Sequence, residues 1–256
     1  MPLRVRGLPT VAVRGHTLVN ARANLGIVPR GADPEDAELF AAKWIPVLRT
    51  ATDELSWLLS RGYAEASALA LVGNRHALRR RQRDAVRRSA CADAARERRR
   101  ARRVDGPVRT LAIDGFNCLI TLEAALAGAP IFRGRDRVLR DVASVHGSWR
   151  EVATTERALA LLADAIATLG ATEIRWLLDR PVSQSGRLAE TIDALGRTRA
   201  LPWRTELLFD PDKHLRETDD VVATADAGVL DECAAWIDLL GLALGDREAW
   251  VIDLGA

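Results

Sequence analysis

The chain has 256 residues, of which 48% are hydrophobic and 28% charged, so it is long enough for one large domain or for a medium and a small one. No apolar run approaches the roughly 20 residues that span a bilayer, and the three cysteines form no CxxC pair, so neither a membrane span, a zinc knuckle nor a disulfide framework is indicated. We expect reduced thiols in a cytoplasmic protein without a signal peptide.

The net charge of +2 hides a strong asymmetry along the chain. Residues 75–103 hold thirteen arginines against three acidic residues, a net charge of +10, so the rest of the chain carries −8. Such arginine density on helical sequence is typical of proteins that bind a phosphate backbone. The nucleic-acid-binding residues expected here are Arg79, Arg80, Arg81, Arg83, Arg87 and Arg88. The alternative is a solvated helix face or a linker paired with the acidic body, and the tryptophans do not interleave with these arginines.

The first part of the chain predicts an arm followed by a helical domain. Residues 1–33 contain short β-like pieces cut by glycine and proline, typical of an arm or hairpin. Residues 34–104 predict a basic helical domain, because Asp33-Pro34 is a typical helix start and the apolar spacing from Leu39 onward fits an amphipathic helix. Asp105-Gly106-Pro107 breaks this pattern and marks the domain boundary.

Residues 107–256 alternate between strand and helix patterns, which predicts an α/β domain with a parallel, Rossmann-like sheet. The predicted strands cover residues 108–113, 174–178, 205–209, 221–224 and 249–252. The predicted helices cover residues 116–127, 135–145, 154–169, about 187–199 and 227–240.

An aspartate follows each predicted strand: Asp114, Asp179, Asp210, Asp226 and Asp253. Because the carboxyl ends of parallel strands meet at one edge of a sheet, we expect an acidic rim there. Several crowded carboxylates repel one another unless a cation lies among them, and hard divalent ions prefer oxygen ligands. The sequence therefore predicts bound Mg²⁺ or Mn²⁺. The alternative is that these aspartates only cap the helices that follow, although no helix follows Asp253.

Three short motifs resemble those of the NYN branch of PIN-like nucleases. Asp114-Gly115-Phe116-Asn117 is similar to the Asp-Gly-Tyr-Asn signature of the first strand, Leu177-Leu178-Asp179 to the second strand, and Val222-Ala223-Thr224-Ala225-Asp226 to the late strand. The resemblance implies a PIN-like fold and metal-dependent hydrolysis of phosphodiester bonds, in RNA more than DNA. It also implies that Asp114, Asp179 and Asp226 bind metal and that Asn117 lines the site.

One departure concerns the segment before the late strand. PIN-like nucleases of this branch usually carry a helix with an acidic pair there, whereas here Glu217-Thr218-Asp219-Asp220 runs straight into Val221. That helix is therefore expected to be missing or shifted, and Asp220 or Asp219 to supply a metal ligand from a loop.

The whole chain also resembles an uncharacterised prokaryotic family, whose N-terminal part is domain of unknown function 434 and whose C-terminal part is a second uncharacterised domain. The residues that carry this resemblance lie at 60–63, 71–75, 81–83 and 132–136. It implies the division into two domains and no mechanism.

The sequence lacks the motifs of several other classes of enzyme. There is no P-loop and no dinucleotide fingerprint, Phe116 stands where a haloacid-dehalogenase phosphatase has its second aspartate, and Ser185 lies in no Gly-x-Ser-x-Gly elbow. We therefore expect a metal-dependent nuclease whose basic helices hold the nucleic acid. Two alternatives keep the same scaffold: a non-catalytic nucleic-acid-binding protein, and a regulator whose basic helices bind an acidic protein. A homo-oligomer is compatible with each.

Overall fold

The computed structural model describes residues 31–142 and 149–255. The arm or hairpin predicted for residues 1–33 falls almost wholly outside the described residues. In the part that is described, no helix is long and apolar enough to cross a membrane.

The N-terminal part is helical, as predicted. Its elements are α1 Asp36–Leu39, a 3₁₀ turn Ala42–Trp44, α2 Ile45–Leu59, α3 Glu65–Arg75, α4 Arg80–Ser89 and α5 Asp93–Arg102. The helix start at Asp33-Pro34 yields only the single turn of α1, and the long helix α2 begins again with Pro46 in its first turn. Proline is tolerated there because its missing N–H would have no partner in the first turn of a helix.

The remaining elements alternate between strand and helix. They are β1 Thr110–Asp114, α6 Gly115–Leu126, β2 Ile131–Arg133, β3 Leu139–Arg140, α7 Thr155–Thr168, β4 Glu173–Asp179, α8 Ser185–Thr198, β5 Trp203–Leu208, α9 Pro211–Glu217, β6 Val221–Ala223, α10 Ala227–Glu232, β7 Ala235–Trp236, α11 Leu239–Leu244 and β8 Val251–Asp253. The predicted α/β class with a parallel sheet is confirmed.

The main sheet has five strands in the order β5-β4-β1-β6-β7, and every neighbouring pair is parallel. Leu111, Ala112 and Ile113 of β1 are fully buried, because helices cover both faces of a sheet of this kind. From β1 the chain proceeds outward through β4 to β5 and then returns to β6 on the other side of β1. The strand order therefore reverses between β1 and β6, and ligands of open α/β sheets bind at the carboxyl edge of such a switch point.

A second sheet has the order β3-β2-β8, and it corrects the prediction for the last strand. β8 pairs with β2 and not with the main sheet, so Asp253 does not lie on the predicted rim. Its Oδ2 is instead 2.9 Å from a guanidinium nitrogen of Arg137. The strand itself was predictable from its apolar run, but the sheet that it joins depends on a distant partner.

Two predicted helices are wrong. The segment from Arg135 forms a tight turn and β3 over its described part, with Arg137 at φ +68°, because Asp136 there binds Arg99 of α5 and Arg140 of β3. The helix predicted for 227–240 is interrupted by β7, which pairs with β6 and whose Trp236 donates an Nε1–H bond of 2.6 Å to the carbonyl of Arg99. In both places a tertiary contact overrides the local helical pattern.

The helical part shares a hydrophobic core with the second sheet. Leu48 and Val86 of the helices pack in one cluster with Phe132 of β2 and Ile252 of β8. The rings of Phe40 and Phe132 meet edge to face, with their centroids 4.9 Å apart. This packing holds the basic helix α4 against the α/β part.

Candidate functional site

Asp114 occupies the carboxyl end of β1 at the switch point and is 5% exposed. Parallel pairing of β1 with β6 brings it beside Thr224, whose hydroxyl donates a 2.7 Å hydrogen bond to Asp114 Oδ2. The backbone N–H of Asn117 donates to Asp114 Oδ1 at 3.3 Å, so the carboxylate caps α6. A Cβ on Gly115 would lie 3.1 Å from the carbonyl oxygen of Leu177, which explains why glycine follows the aspartate in this motif.

Asn117 and Asp226 belong to the same hydrogen-bonded group. Asn117 Oδ1 accepts a 2.8 Å bond from the backbone N–H of Ala225. The N–H of Asp226 donates to Thr224 Oγ1 at 3.0 Å, and Asp226 Oδ1 caps α10 by accepting from Val229 N–H at 3.0 Å. The structure therefore brings Asp226 together with Asp114 and Asn117, although it lies more than a hundred residues after them in the sequence.

The capping alternative is also present in the structure. Asp114, Asp210 and Asp226 are the N-cap residues of α6, α9 and α10, and each accepts a backbone N–H bond. A capping hydrogen bond uses one oxygen of the carboxylate, so a capping aspartate can still accept a further ligand such as a metal ion. Asp179 is different, since it ends β4 whereas Gln184 is the N-cap residue of α8.

The carboxylates of the rim influence one another electrostatically. Burial, helped by the negative charges of Asp212 and Asp226, raises the pKa of Asp114 to about 7. Burial and Asp210 raise the pKa of Asp179, and partial desolvation together with Asp226 and Asp179 raises that of Asp212. Burial is the largest cause of each shift and the neighbouring carboxylates add to it, so a cation bound among them would favour their ionised forms.

Asp212 is a further candidate for the rim that the sequence analysis missed, since the charges of Asp226 and Asp179 act on it. It lies in the first turn of α9, the helix that was expected to be missing or shifted before the late strand. The signal was available, because Asp210-Pro211 repeats the aspartate–proline helix start already recognised at Asp33-Pro34.

The structure does not bring Asp220 to the rim. Asp220 precedes β6 and so lies at the amino edge of the sheet, opposite the rim, where its Oδ2 accepts a 3.3 Å hydrogen bond from Arg175. Arg175 also binds Glu206 of β5, so Asp220 belongs to a structural ion-pair cluster. The neighbouring Asp219 is exposed at the same edge.

The donors at the rim fit a hard divalent ion in chemical type, since all are carboxylate, amide or hydroxyl oxygens. Across residues 31–142 and 149–255, however, no three His, Cys, Asp or Glu side chains already form a group that could hold a metal ion. Mg²⁺ typically uses only one or two protein carboxylates and keeps several waters. Asp114 and Asp226 can supply such a pair, and Asp179 and Asp212 lie further along the rim.

A cleft of about 590 Å³ separates the rim from the basic helices. Asn117 and Asp226 line one side, and Arg87, Arg88 and Arg98 of α4 and α5 line the other. The cleft therefore places guanidinium groups opposite the acidic switch point.

Only Arg87 and Arg88 of the six predicted nucleic-acid-binding arginines line this cleft. Arg81 binds the buried carboxylate of Asp36 through two bonds of 2.7 and 2.8 Å, and Arg83 donates to Leu78 O and Asn74 Oδ1 within the helical part. Arg79 lies near Glu35 and Glu38, while Arg80 is exposed outside the cleft. The spacing of the arginines in the sequence did not distinguish those that bind groups within the fold from those that line the cleft.

A buried ion-pair network beside the cleft also escaped the sequence analysis. Asp136 binds Arg99 at 2.6 Å and Arg140 at 2.7 Å, and Arg99 further binds Asp231 of α10. Arg140 Nε donates a 2.7 Å bond to the carbonyl of Ala225, the residue before Asp226. Burial opposes the ionisation of Asp136, but the two arginines outweigh it and lower its pKa to about 2. This cluster, which we call the Arg99 network, connects α5 to the loop that carries Asp226.

The structure thus defines an α/β protein with an acidic switch point beside a basic cleft. Comparison with known proteins gives its family. The family model described as Domain of unknown function (DUF5616) matches residues 106–242, and Protein of unknown function (DUF434) matches residues 47–102. Since the first match covers more than half of the chain, the protein belongs to the DUF5616 family. The resemblance of the N-terminal part to domain of unknown function 434 is confirmed.

One relative is the Uncharacterized protein MJ0935 of Methanocaldococcus jannaschii, 28% identical over 186 residues that cover 72% of this chain and 88% of that protein. No solved structure matches the chain. The comparisons thus define a family and leave the activity to be inferred from the site.

Proposed function

We propose that this protein is a divalent-metal-dependent nuclease with a PIN-like α/β domain, acting on RNA in preference to DNA. The observation that carries the proposal is the hydrogen-bonded group of Asp114, Asn117 and Asp226 at the switch point of the parallel sheet. The strand order, the aspartates that end β1 and β4, and the aspartate shortly after β6 support the resemblance to the NYN branch. The preference for RNA rests on that resemblance.

Each residue at the rim has a definite task in this proposal. Asp114 and Asp226 would hold Mg²⁺ or Mn²⁺, with Asp179 and Asp212 available at the flank. When bound, such an ion supplies activation of water and neutralisation of the charge that develops on the phosphate. Asn117 has its Oδ1 held by Ala225 N–H, which leaves its Nδ2 to donate to a phosphate oxygen.

The cleft is the binding site for the nucleic acid in this proposal. Arg88 lines it, and among the described residues no ion pair occupies its guanidinium; Arg98 is about half exposed and lies 3.8 Å from Asp231. Exposed guanidinium groups bind phosphates through charge and paired hydrogen bonds without reading the base sequence. The arginines would therefore hold the backbone while the rim acts on the phosphodiester bond.

A non-catalytic nucleic-acid-binding protein is the second candidate. It is favoured by the absence, in the described parts of the chain, of a preformed group of three metal-ligating side chains, and by the capping role of Asp114 and Asp226. This alternative predicts salt-dependent binding to nucleic acid that chelators do not change, and no cleavage.

The three cysteines bear on the cellular setting of the proposal. Cys91, Cys118 and Cys233 are all buried and free. Buried thiols without disulfides are typical of proteins kept in a reducing compartment, so a cytoplasmic location is part of the proposal.

The decisive assay uses end-labelled single-stranded RNA with Mn²⁺, with Mg²⁺ and with chelator. We expect cleavage that requires metal and that falls on the order of 100-fold or more in Asp114→Asn and Asp226→Asn, since each removes an electrostatic element of the site. Asp219→Asn is the matched control, because Asp219 is an exposed aspartate at the opposite edge. Metal-independent cleavage, or full activity in the double variant Asp114→Asn/Asp226→Asn, would contradict the proposal.

A further inference from the structure

We propose that Phe209 and Arg180 form a stacking platform for a nucleobase of single-stranded nucleic acid. This inference rests on the proposed function and specifies its substrate class. It is carried by an exposed aromatic side chain beside the acidic rim.

The exposure of Phe209 is unusual for a large apolar side chain. Its relative exposure is 76%, the highest among the exposed large hydrophobic residues of the described chain, and no part of the described hydrophobic core includes it. The guanidinium carbon of Arg180 lies 5.1 Å from the centre of the Phe209 ring, within the range of a cation–π contact. With the arginine on one side, the ring offers its other face to a planar ligand.

The backbone fixes this pair in place. The N–H of Arg180 donates a 2.7 Å hydrogen bond to the carbonyl of Leu208, which ties the segment after β4 to the end of β5. Residue 209 is followed at once by Asp210, whose carboxylate caps α9 through the N–H of Lys213. The platform is therefore anchored on both sides by regular structure.

The position relative to the rim suits a nucleic-acid strand. Register pairs Asp179 with Leu208, so Phe209 follows directly beside a carboxylate of the rim. In the strand order β5-β4-β1-β6-β7 the platform flanks Asp114 on the β5 side, and the arginine-lined cleft flanks it on the β6 side. The two flanks are three strand spacings apart, roughly 14 Å. A strand that places phosphates in the cleft and a base on Phe209 would cross the switch point.

Stacking selects the single-stranded form. A base inside a duplex is already stacked on its neighbours, whereas an unpaired base can be splayed out onto an aromatic ring. Stacking on an aromatic side chain tolerates any base, because every base has a π-face, and its loss reduces affinity by roughly 5- to 150-fold. The geometry thus predicts binding of single strands with little sequence preference.

The test measures the affinity of the full chain for labelled single-stranded RNA, single-stranded DNA and a duplex of the same sequence, by fluorescence anisotropy in chelator. We expect Phe209→Ala to weaken single-strand binding at least about 5-fold, Phe209→Trp to retain it, and duplex binding to change little. Trp57→Ala is the matched control, because Trp57 of α2 is also exposed and has Arg61 over its ring at 3.5 Å, yet lines a separate groove. Thermal melting checks that each variant remains folded.

The outcomes separate this inference from the proposed function. Unchanged single-strand affinity in Phe209→Ala, or an equal loss in Trp57→Ala, overturns the platform, whether or not RNA is cleaved. A selective loss of single-strand affinity in Phe209→Ala, together with no metal-dependent cleavage by the wild type, supports the platform and contradicts the nuclease proposal. Comparison of the affinities for single-stranded RNA and single-stranded DNA decides which of the two the platform prefers.

Discussion

Asp114→Asn is expected to raise the free energy of unfolding of the metal-free protein at pH 8 by about 2–4 kcal/mol, an upper range set by the pKa shift of the buried carboxyl. Asp114 is nearly inaccessible, and its pKa of about 7 means that the folded state favours the protonated acid. At pH 8 the wild type must hold a buried negative charge, whereas asparagine is neutral and keeps an oxygen to accept from Asn117 N–H.

The pH dependence has a definite sign. Since the pKa of Asp114 is raised from 3.8 to about 7, its contribution to stability is fully present below about pH 4 and is lost as the pH rises toward 7. Urea unfolding in chelator at several pH values measures this, and the Asp114→Asn profile should be flatter between pH 4 and 7. Asp219→Asn should reproduce the wild-type profile, and a destabilised Asp114→Asn protein at pH 8 would refute the electrostatic account of the rim.

Arg99→Ala is expected to lower the free energy of unfolding by about 3–5 kcal/mol, the usual cost of removing one partner of a buried ion pair. Arg99 has a side chain only 4% exposed, and it donates to Asp136, to both carboxylate oxygens of Asp231 and to the carbonyl of Ala227. Its loss leaves Asp136 with Arg140 as its remaining cationic partner in the Arg99 network.

Arg98→Ala provides the control for this prediction. Arg98 belongs to the same helix but its side chain is 49% exposed, and its ion pair with Asp231 spans 3.8 Å, so the expected cost is below about 1 kcal/mol. Chemical denaturation of both variants distinguishes the buried ion pairs of Arg99 from the exposed ion pair of Arg98. A similar small cost for Arg98→Ala and Arg99→Ala would show that the network does not hold the basic helices to the α/β part.

The parallel sheet and its switch-point aspartates were predictable because their signals are local. Continuous apolar runs ending in aspartate mark β1 and β4, and the chain order of strands and helices implies a parallel arrangement. Asp114, Asn117 and Asp226 could be proposed from short motifs, since a strand delivers its last residue to a fixed edge of the sheet. The sequence contained no comparable signal for the pairing of β8 with β2.

The features that were missed depend on contacts between distant residues. Arg81 and Arg99 have the same sequence character as Arg88, yet Asp36 and Asp136 bind the first two from elsewhere in the fold. Asp220 was expected at the rim but Asp212 lies there instead, because α9 carries the chain from the rim back to the amino edge of the sheet. Charge patterning identifies a basic region, whereas the fold decides which of its arginines remain accessible.

The central claim is that carboxylates from separate strands share a divalent ion at the switch point. Mn²⁺ binding to the purified protein, followed by the loss of the electron paramagnetic resonance signal of free Mn²⁺, tests it without any substrate. We expect the wild type and Asp219→Asn to bind Mn²⁺ with the same affinity, and Asp114→Asn/Asp226→Asn to bind none at the concentrations that saturate the wild type. Equal Mn²⁺ binding by the double variant, or no binding by the wild type, would contradict the account.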